Sequence, residues 1–220
     1  MEGHHPAVEQ YLETILELEE SGIVPLRARI VERLGVSAPA VSETVKRLER
    51  EGYLTLDADR VMHLTATGRA YATSMLRRHR LAELLLVDIL KVPWSQVHEE
   101  ACRLEHAISP SLEAHLVTLL GDPGACPHGN PIPGSVNAVD PGPLQPLSTV
   151  QAGSSCVVRR IDENLQTQID HMRELESAHL LPGQKVTVTA GAAGTDLDLQ
   201  VDGVAVTLER VVAENVYVTL

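Results

Sequence analysis

Apolar side chains recur at helical spacing in the first fifty residues of the chain. The stretch "PAVEQYLETILELEE", residues 6–20, predicts a helix that begins after a proline. Next, "VPLRARIVERLG" predicts a short amphipathic helix that Gly35 can end. "VSAPAVSETVKRLEREGYL" predicts a third helix, with Ser37 as its N-cap and Pro39 in its first turn. Two short helices joined by a Gly-Val-Ser turn predict a helix-turn-helix.

The spacing of apolar positions then changes from helical to alternating. After Gly52, "YLTLDADRVMHLTATG" predicts two short strands around residues 57–60, which would form the wing of a winged helix. A hairpin that makes no contact with DNA fits the same pattern, and that alternative stays open.

Three more helical patterns are followed by a β-rich end. The helices are predicted in "SMLRRHRLAELLLVDILK", "VHEEACRLEHAI" and "PSLEAHLVTLLG", of which the last is suited to a dimer seam. Proline and glycine are frequent between Gly121 and Leu147. Beyond them, "SCVVRRI", "KVTVTA", "LDLQVDGVAVTL" and "NVYVTL" predict strands, and "LQTQIDHMRELESAHL" predicts a helical insert after the first strand. We expect these strands to form a small β-barrel.

The charge of the chain is unevenly distributed. The formal net charge is −12, which argues against nucleic-acid binding if it is spread evenly. Between residues 27 and 50, however, six basic side chains stand against three acidic ones, a local charge of +3. Such a local excess suits phosphate contacts, while the acidic remainder keeps non-specific affinity for DNA low.

Composition narrows the class of protein further. There is no apolar run of 18 or more residues and no charged leader before an apolar stretch, so we expect no membrane span, no signal peptide and a cytoplasmic location. Three widely spaced cysteines predict neither a disulfide framework nor a zinc finger. Cys126 and Cys156 are interpreted as plain reduced thiols.

A stripe of metal-ligand side chains crosses "VHEEACRLEHAI". On a helical wheel, His98, Cys102, Glu105 and His106 fall within one arc of about 100° beside an apolar stripe. Imidazole, thiolate and carboxylate hold first-row divalent metals, and their spacing lets them converge on one ion. The alternative for any one of them is a solvated polar helix edge. His79 and Glu83, spaced i and i+4 in "RRHRLAE", fit either an ion pair or two ligands of one metal.

The order of these parts resembles the diphtheria toxin repressor and iron-dependent regulator family. The resemblance rests on "PLRARIVERL", "RRHRLAE", "VHEEACRLEHAIS" and "GNPIPG", and it covers nearly the whole chain. It implies a mainly α-helical protein with a small β part. The implied segments are 1–72, a winged helix-turn-helix DNA-binding domain; 73–140, a helical dimerisation and metal-binding domain; 141–150, a Pro/Gly-rich linker; and 151–220, a small Src-homology-3-like β-barrel.

The resemblance also implies a homodimeric, non-enzymatic repressor that binds a palindromic double-stranded operator when loaded with Fe(II) or Mn(II). Two metal sites in each subunit are implied, and two dimers on one operator is an option left open. The matching primary ligands are Cys102, Glu105 and His106, with Gln10 and Glu13. The matching ancillary ligands are His79, Glu83 and His98, with Gln168 and His171 from the barrel.

The candidate ligands give opposing indications of which metal is bound. Gln10 stands where the iron-sensing branch has methionine, whereas Glu13 matches a glutamate of the manganese-sensing branch. Cys102 is unlike the manganese branch, which has a carboxylate there. A thiolate favours softer ions and oxygen donors favour hard ones, so both Fe(II) and Mn(II) remain candidates. Zn(II), Co(II) or Ni(II) should substitute in vitro.

On the recognition helix, the positions that match the family's DNA contacts are Ser37, Pro39, Ser42 and Glu43. Glu43 would accept a hydrogen bond from a cytosine amino group or be repelled by phosphate. The residues expected to position phosphates are Arg27, Arg47, Arg50 and Arg60.

We hypothesise that metal binding selects one distance between the two DNA-binding domains of the dimer. That distance fits successive major grooves, about 34 Å apart. Two other classes stay open. One is a winged-helix regulator that responds to a small organic ligand, and the other is a metalloenzyme, although no separate nucleophile or base motif supports catalysis.

Overall fold

The computed structural model describes residues 8–138, 140, 142–191 and 196–220. The chain forms two compact units, Met1–Arg77 and Arg78–Leu220. Within the described ranges, no helix combines the length and the apolar character needed to cross a membrane.

The first unit is a winged helix-turn-helix, as predicted. Its elements are α1 (Val8–Glu20), α2 (Arg27–Leu34), α3 (Ala38–Arg50), β1 (Leu54–Leu56), β2 (Met62–Leu64) and the first turns of α4 (Ala66–Leu84). Gly35 ends α2 in the left-handed conformation, with φ 63°, and Ser37 Oγ accepts a hydrogen bond from the Ala40 amide at 3.4 Å. These two caps fix the turn between α2 and α3.

One apolar face of each helix builds the core of this unit. Leu12 and Ile15 of α1, Ile30 of α2, and Val45 and Leu48 of α3 are fully buried in one cluster. Their burial leaves the opposite face of α3 at the surface, where a recognition helix must present its side chains.

The turn of the wing is organised by one aspartate, Asp57. β1 and β2 pair antiparallel, with Thr55 opposite His63. Asp57 Oδ1 accepts hydrogen bonds from the Asp59 and Val61 amides, both at 2.9 Å. The turn therefore holds Arg60 in the left-handed region, with φ 66°, and its side chain is exposed.

The second unit begins with a helical layer. Its elements are the rest of α4, a π-helical turn (Leu85–Ile89), a 3-10 turn (Trp94–Gln96), α5 (Val97–Leu104), a second 3-10 turn (Glu105–Ala107) and α6 (Pro110–Leu120). The stripe predicted on one continuous helix is thus split. His98 and Cys102 lie on α5, whereas Glu105 and His106 lie on the tighter turn that follows it. The ideal wheel therefore misplaces the last two side chains.

A six-stranded antiparallel sheet completes the second unit. Its strands are β3 (Gln145–Pro146), β4 (Ser155–Ile161), β5 (Lys185–Ala190), β6 (Leu197–Val201), β7 (Val204–Leu208) and β8 (Val216–Thr219), in the order β3-β8-β4-β5-β6-β7. The helical insert is α7 (Glu163–Gln166) and α8 (Ile169–Ser177), and α9 (Arg210–Ala213) precedes β8. The edge strands β3 and β7 do not pair, so the described strands form an open sheet and not the closed barrel that was expected.

Residues 126–130 of the Pro/Gly-rich stretch, here called the anchored segment, are hydrogen-bonded to this sheet. The Ile161 amide donates to the His128 carbonyl at 2.9 Å, and Asn130 Nδ2 donates to the Ile161 carbonyl at 3.1 Å. Gly129 lies between these two bonds with φ 83°, and a Cβ there would stand 1.9 Å from the Arg159 carbonyl oxygen. The backbones approach so closely that only glycine fits.

Candidate metal centre

Donor side chains from five segments converge inside the second unit. α4 carries His79 and Glu83 one turn apart, so both project from the same face. The other donors are His98 and Cys102 on α5, Glu105 on the following turn, Cys126 and His128 in the anchored segment, and Glu163 on α7. Among the described residues of this unit, three donor sets have their ligand atoms within 4.8 Å of one another: His79, Glu83, His98 and Glu163; His79, His98 and Cys102; and Glu83, Cys126 and His128.

His79 is at the centre of the cluster. Its Nδ1 lies 2.6 Å from Glu105 Oε2, and its Nε2 lies 3.2 Å from both Glu83 Oε1 and His98 Nδ1. Burial lowers the pKa of His79, but the Glu83 carboxylate and the Cys102 thiolate outweigh burial and raise the pKa well above its usual value. In the metal-free protein, protons on imidazole therefore balance the buried carboxylates.

Several buried acceptor atoms have no hydrogen-bond donor within the described ranges. Glu163 Oε1 accepts from Arg80 Nε and Nη2 at 3.4 and 3.1 Å, while its Oε2 lies 3.7 Å from His98 Nδ1. Among the described residues, Glu83 Oε2, Glu163 Oε2 and Gln166 Oε1 accept no hydrogen bond although each is buried. Unsatisfied buried acceptors are costly, and a divalent cation would satisfy them. The donor set therefore fits a metal ion.

The third set approaches Glu83 from the anchored segment. His128 Nδ1 lies 3.1 Å from Glu83 Oε1, and its ring packs at 4.7 Å against Trp94, whose Nε1 donates to the Pro127 carbonyl at 2.9 Å. Burial raises the pKa of Cys126 well above its usual value, and the nearby glutamate charges raise it further. Cys126 is a free thiol, as expected, but it also belongs to a donor set, which the sequence-based interpretation missed.

Cys102 has the opposite electrostatic environment. Its Sγ lies 3.7 Å from His98 Nε2. Burial raises the pKa of this thiol, but His98 and His79 outweigh burial and lower the pKa to about 6. Cys102 is therefore mainly a thiolate at neutral pH, which is the form that binds metal. Beside it, Glu105 Oε1 lies 3.4 Å from His106 Nε2.

The structure does not bring every predicted ligand to this cluster. Gln168 is exposed and donates to the Asn164 carbonyl, and His171 lies 3.7 Å from Glu174. Glu163 and Gln166, five residues upstream of that pair and also three apart, are buried instead. The remaining predicted ligands, Gln10 and Glu13, lie on α1 of the first unit.

The predicted DNA contacts all lie on or beside the helix-turn-helix or on the wing. Of these residues, six are exposed, Ser37, Pro39, Glu43, Arg47, Arg50 and Arg60, and two are half-buried, Arg27 and Ser42.

Alkylation should separate the three cysteines in metal-stripped protein. We expect iodoacetamide to modify Cys102 faster as pH rises through about 6, because the reactive thiolate fraction rises with pH. Cys156, with a pKa raised by burial to about 11, and Cys126 serve as internal controls and should react far more slowly. Mass spectrometry of tryptic peptides gives the rates. Equal rates at all three thiols would contradict the assigned environment, and protection of Cys102 by Mn(II) would support its role as a ligand.

Comparisons with known proteins match three long stretches of the chain. The family models that match are an iron-dependent repressor N-terminal DNA-binding domain over residues 5–61, an iron-dependent repressor metal-binding and dimerisation domain over 65–134, and a FeoA domain over 145–220. The iron-dependent repressor IdeR of Mycobacterium tuberculosis is 48% identical over 195 residues, which cover 84% of this chain and 85% of the relative. The chain belongs to the iron-dependent repressor family.

Other relatives and solved structures support the same family assignment. The diphtheria toxin repressor of Corynebacterium diphtheriae is 40% identical over 214 residues, 91% of this chain and 94% of the relative. A manganese-dependent transcriptional repressor in complex with manganese superposes with a TM-score of 0.86, at 32% identity, over 97% of this chain and 99% of the other. T. acidophilum IdeR gives 0.80, at 26% identity, over 99% of this chain and 100% of the other. This repressor thus has DNA-binding and metal-binding domains. The predicted family and function in transcription are confirmed, and so is the fold class except that the C-terminal sheet does not close into a barrel.

Proposed function

We propose that this repressor binds a palindromic operator as a homodimer when each subunit holds two Fe(II) or Mn(II) ions. The observation that carries the proposal is the buried donor cluster, in which one oxygen of each carboxylate, Glu83 Oε2 and Glu163 Oε2, accepts no hydrogen bond from the described residues. A buried arrangement of this kind is expensive unless a cation completes it.

The ancillary ion is assigned to the side chains around Glu83. His79, Glu83, His98 and Glu163 supply nitrogen and oxygen donors, and Gln166 follows Glu163 by one turn. In this assignment Glu163 and Gln166 take the place of Gln168 and His171. Cys126 and His128 add a softer set that shares Glu83, so an ion here can be held from the helical layer and from the anchored segment.

The primary ion is assigned to Cys102, Glu105 and His106. The ionised thiolate and the buried Glu105 carboxylate support this assignment. Gln10 and Glu13 complete it by family resemblance alone, and their role stays a prediction. The mixture of sulfur, nitrogen and oxygen donors suits both Fe(II) and Mn(II), and Zn(II), Co(II) or Ni(II) should bind in vitro.

Within the metal centre, the side chains both hold and exchange protons. When bound, a divalent ion supplies positive charge that balances the buried carboxylates. His79 and His98 must lose their ring protons before both can coordinate, and the pKa of each is raised well above its usual value. We therefore expect metal affinity to fall as pH falls below the raised pKa values of these two histidines.

DNA contacts are assigned to the first unit. Arg47 and Arg50 near the end of α3, Arg27 at the start of α2 and Arg60 of the wing would position phosphates. Ser37, Pro39, Ser42 and Glu43 would face the bases. Leu112 and Leu119 of α6, exposed by 45% and 60%, are apolar side chains suited to a subunit interface. We place the dimer in the cytoplasm and propose no catalytic role.

Operator binding after Glu105→Ala substitution tests the assignment. We expect the variant to need about 100-fold more Mn(II) or Fe(II) for half-maximal binding, because both His79 and the primary ion lose a buried carboxylate. The measurement is anaerobic fluorescence anisotropy of a palindromic promoter duplex at buffered free metal. Glu99→Ala, which removes an exposed glutamate of α5, is the matched control and should titrate like the wild type. Unchanged metal-dependent binding by Glu105→Ala would refute the site assignment.

A further inference from the structure

We propose that Glu43 sets the operator sequence by accepting a hydrogen bond from the N4 amino group of a cytosine in the major groove. The inference rests on the proposed function, since it requires α3 to be the helix that enters the groove. It concerns which sequence is bound and not whether metal is needed.

Glu43 is an exposed carboxylate in a basic environment. It lies on the solvent face of α3, where it shares the lining of a surface cavity of about 480 Å³ with Lys46, Arg47 and Arg50. Between residues 27 and 50 the chain carries a charge of +3. A negative side chain on this surface repels the phosphates of DNA. A favourable contact with a base would offset that cost.

No contact with the part of the chain that the structure describes accounts for the Glu43 carboxylate. Lys46 and Arg47 follow Glu43 at i+3 and i+4, the spacing at which a glutamate forms an ion pair with a lysine or arginine on a helix. Such pairs form elsewhere in the chain, between Arg29 and Glu32 and between Arg103 and Glu99. Glu43 makes no hydrogen bond or ion pair with any described residue. Its acceptor capacity is therefore available to a ligand.

The chemistry of base edges selects cytosine. An ionised carboxylate only accepts hydrogen bonds. In the major groove the amino donors are N4 of cytosine and N6 of adenine. Adenine also presents the N7 acceptor beside its amino group, which would repel the second carboxylate oxygen, whereas cytosine presents no acceptor there. Glutamine, with an amide donor as well, would instead match both groups of adenine.

Selection from a random library tests this inference. The probe is a pool of duplexes with a randomised central segment, incubated with full-length protein and saturating Mn(II), and retained duplexes are sequenced. We expect the wild type to enrich cytosine at one position of each half-site and to bind a duplex with that base changed to adenine about 10-fold more weakly. Glu43→Gln should reverse this preference to adenine. Glu49→Gln, which removes an exposed charge from the same helix, is the matched control and should keep cytosine.

Two results would overturn the proposal. One is a wild type that retains duplexes without a cytosine preference. The other is a Glu43→Gln variant that selects the wild-type sequence and binds every duplex more tightly, which would mean that Glu43 only repels phosphate. If the wild type with Mn(II) retains no duplex at all, the proposed function fails and this inference falls with it.

Discussion

Glu83→Gln should lower the affinity of the buried cluster for Mn(II) or Fe(II) by about 100-fold or more. Glu83 belongs to two of the donor sets, so one substitution weakens both the nitrogen-oxygen set and the set that contains Cys126. Burial raises the pKa of Glu83, but the charges of His128 and His79 outweigh burial and lower the pKa well below its usual value. The wild-type side chain is therefore an anion, and glutamine removes the charge while it keeps the shape.

Calorimetric titration of metal-stripped protein, in competition with a chelator of known affinity, measures this loss. Glu209→Gln, an exposed glutamate of the same unit, is the charge-matched control and should bind metal like the wild type. Circular dichroism establishes that the variant is folded. If the folded Glu83→Gln variant bound Mn(II) and Fe(II) with wild-type affinity, Glu83 would not be a ligand, and the cluster would be a network of ion pairs.

Gly129→Ala should lower the free energy of unfolding by about 3 kcal/mol, equivalent to roughly 6–12 °C in Tm. The added Cβ would stand 1.9 Å from the Arg159 carbonyl, so the segment must move off β4 and break its hydrogen bonds with Ile161. Because Cys126 and His128 lie just before this glycine in the chain, affinity for an ion that binds thiolate, such as Co(II), should fall together with stability.

Gly203→Ala is the control that separates the backbone cost of a positive φ from the steric clash of the added Cβ. Gly203 has the same φ of 83° but nothing within 4 Å of its missing Cβ, so its substitution carries only the backbone cost, about 1 kcal/mol. Thermal unfolding followed by circular dichroism compares the two variants. Equal losses of Tm would mean that the close approach at Gly129 contributes nothing beyond its conformation.

The elements of this fold follow from local patterns, and the metal centre follows from them only in part. The caps at Gly35 and Ser37 depend on residues close in sequence, and β6 and β8 alternate between buried and more exposed positions, so these elements are predictable. Whether the sheet closes depends on contacts between strands distant in sequence, which the alternation does not contain. The end of α5 at Leu104 likewise depends on its surroundings.

Ligands that lie close in sequence were predictable, whereas those brought in by the chain's path were not. His79 and Glu83 are one turn apart, and His98 and Cys102 are one turn apart. Glu163 joins them from more than 60 residues away, through packing of α7 that no local spacing reveals. Cys126 and His128 did leave a signal, since two ligand types stand two residues apart just before "GNPIPG". Their role depends on the anchoring of Gly129, which only the structure displays.

The packing of the Trp94 ring against the His128 ring gives the protein an internal optical probe. The chain contains one tryptophan, so all of its indole emission arises from this position. The ring touches a candidate ligand, and its N–H is bonded to the backbone of the same anchored segment. Emission intensity and wavelength should therefore respond most strongly to events beside His128. Binding kinetics there can be followed in unlabelled wild-type protein, on the millisecond scale of a stopped-flow instrument.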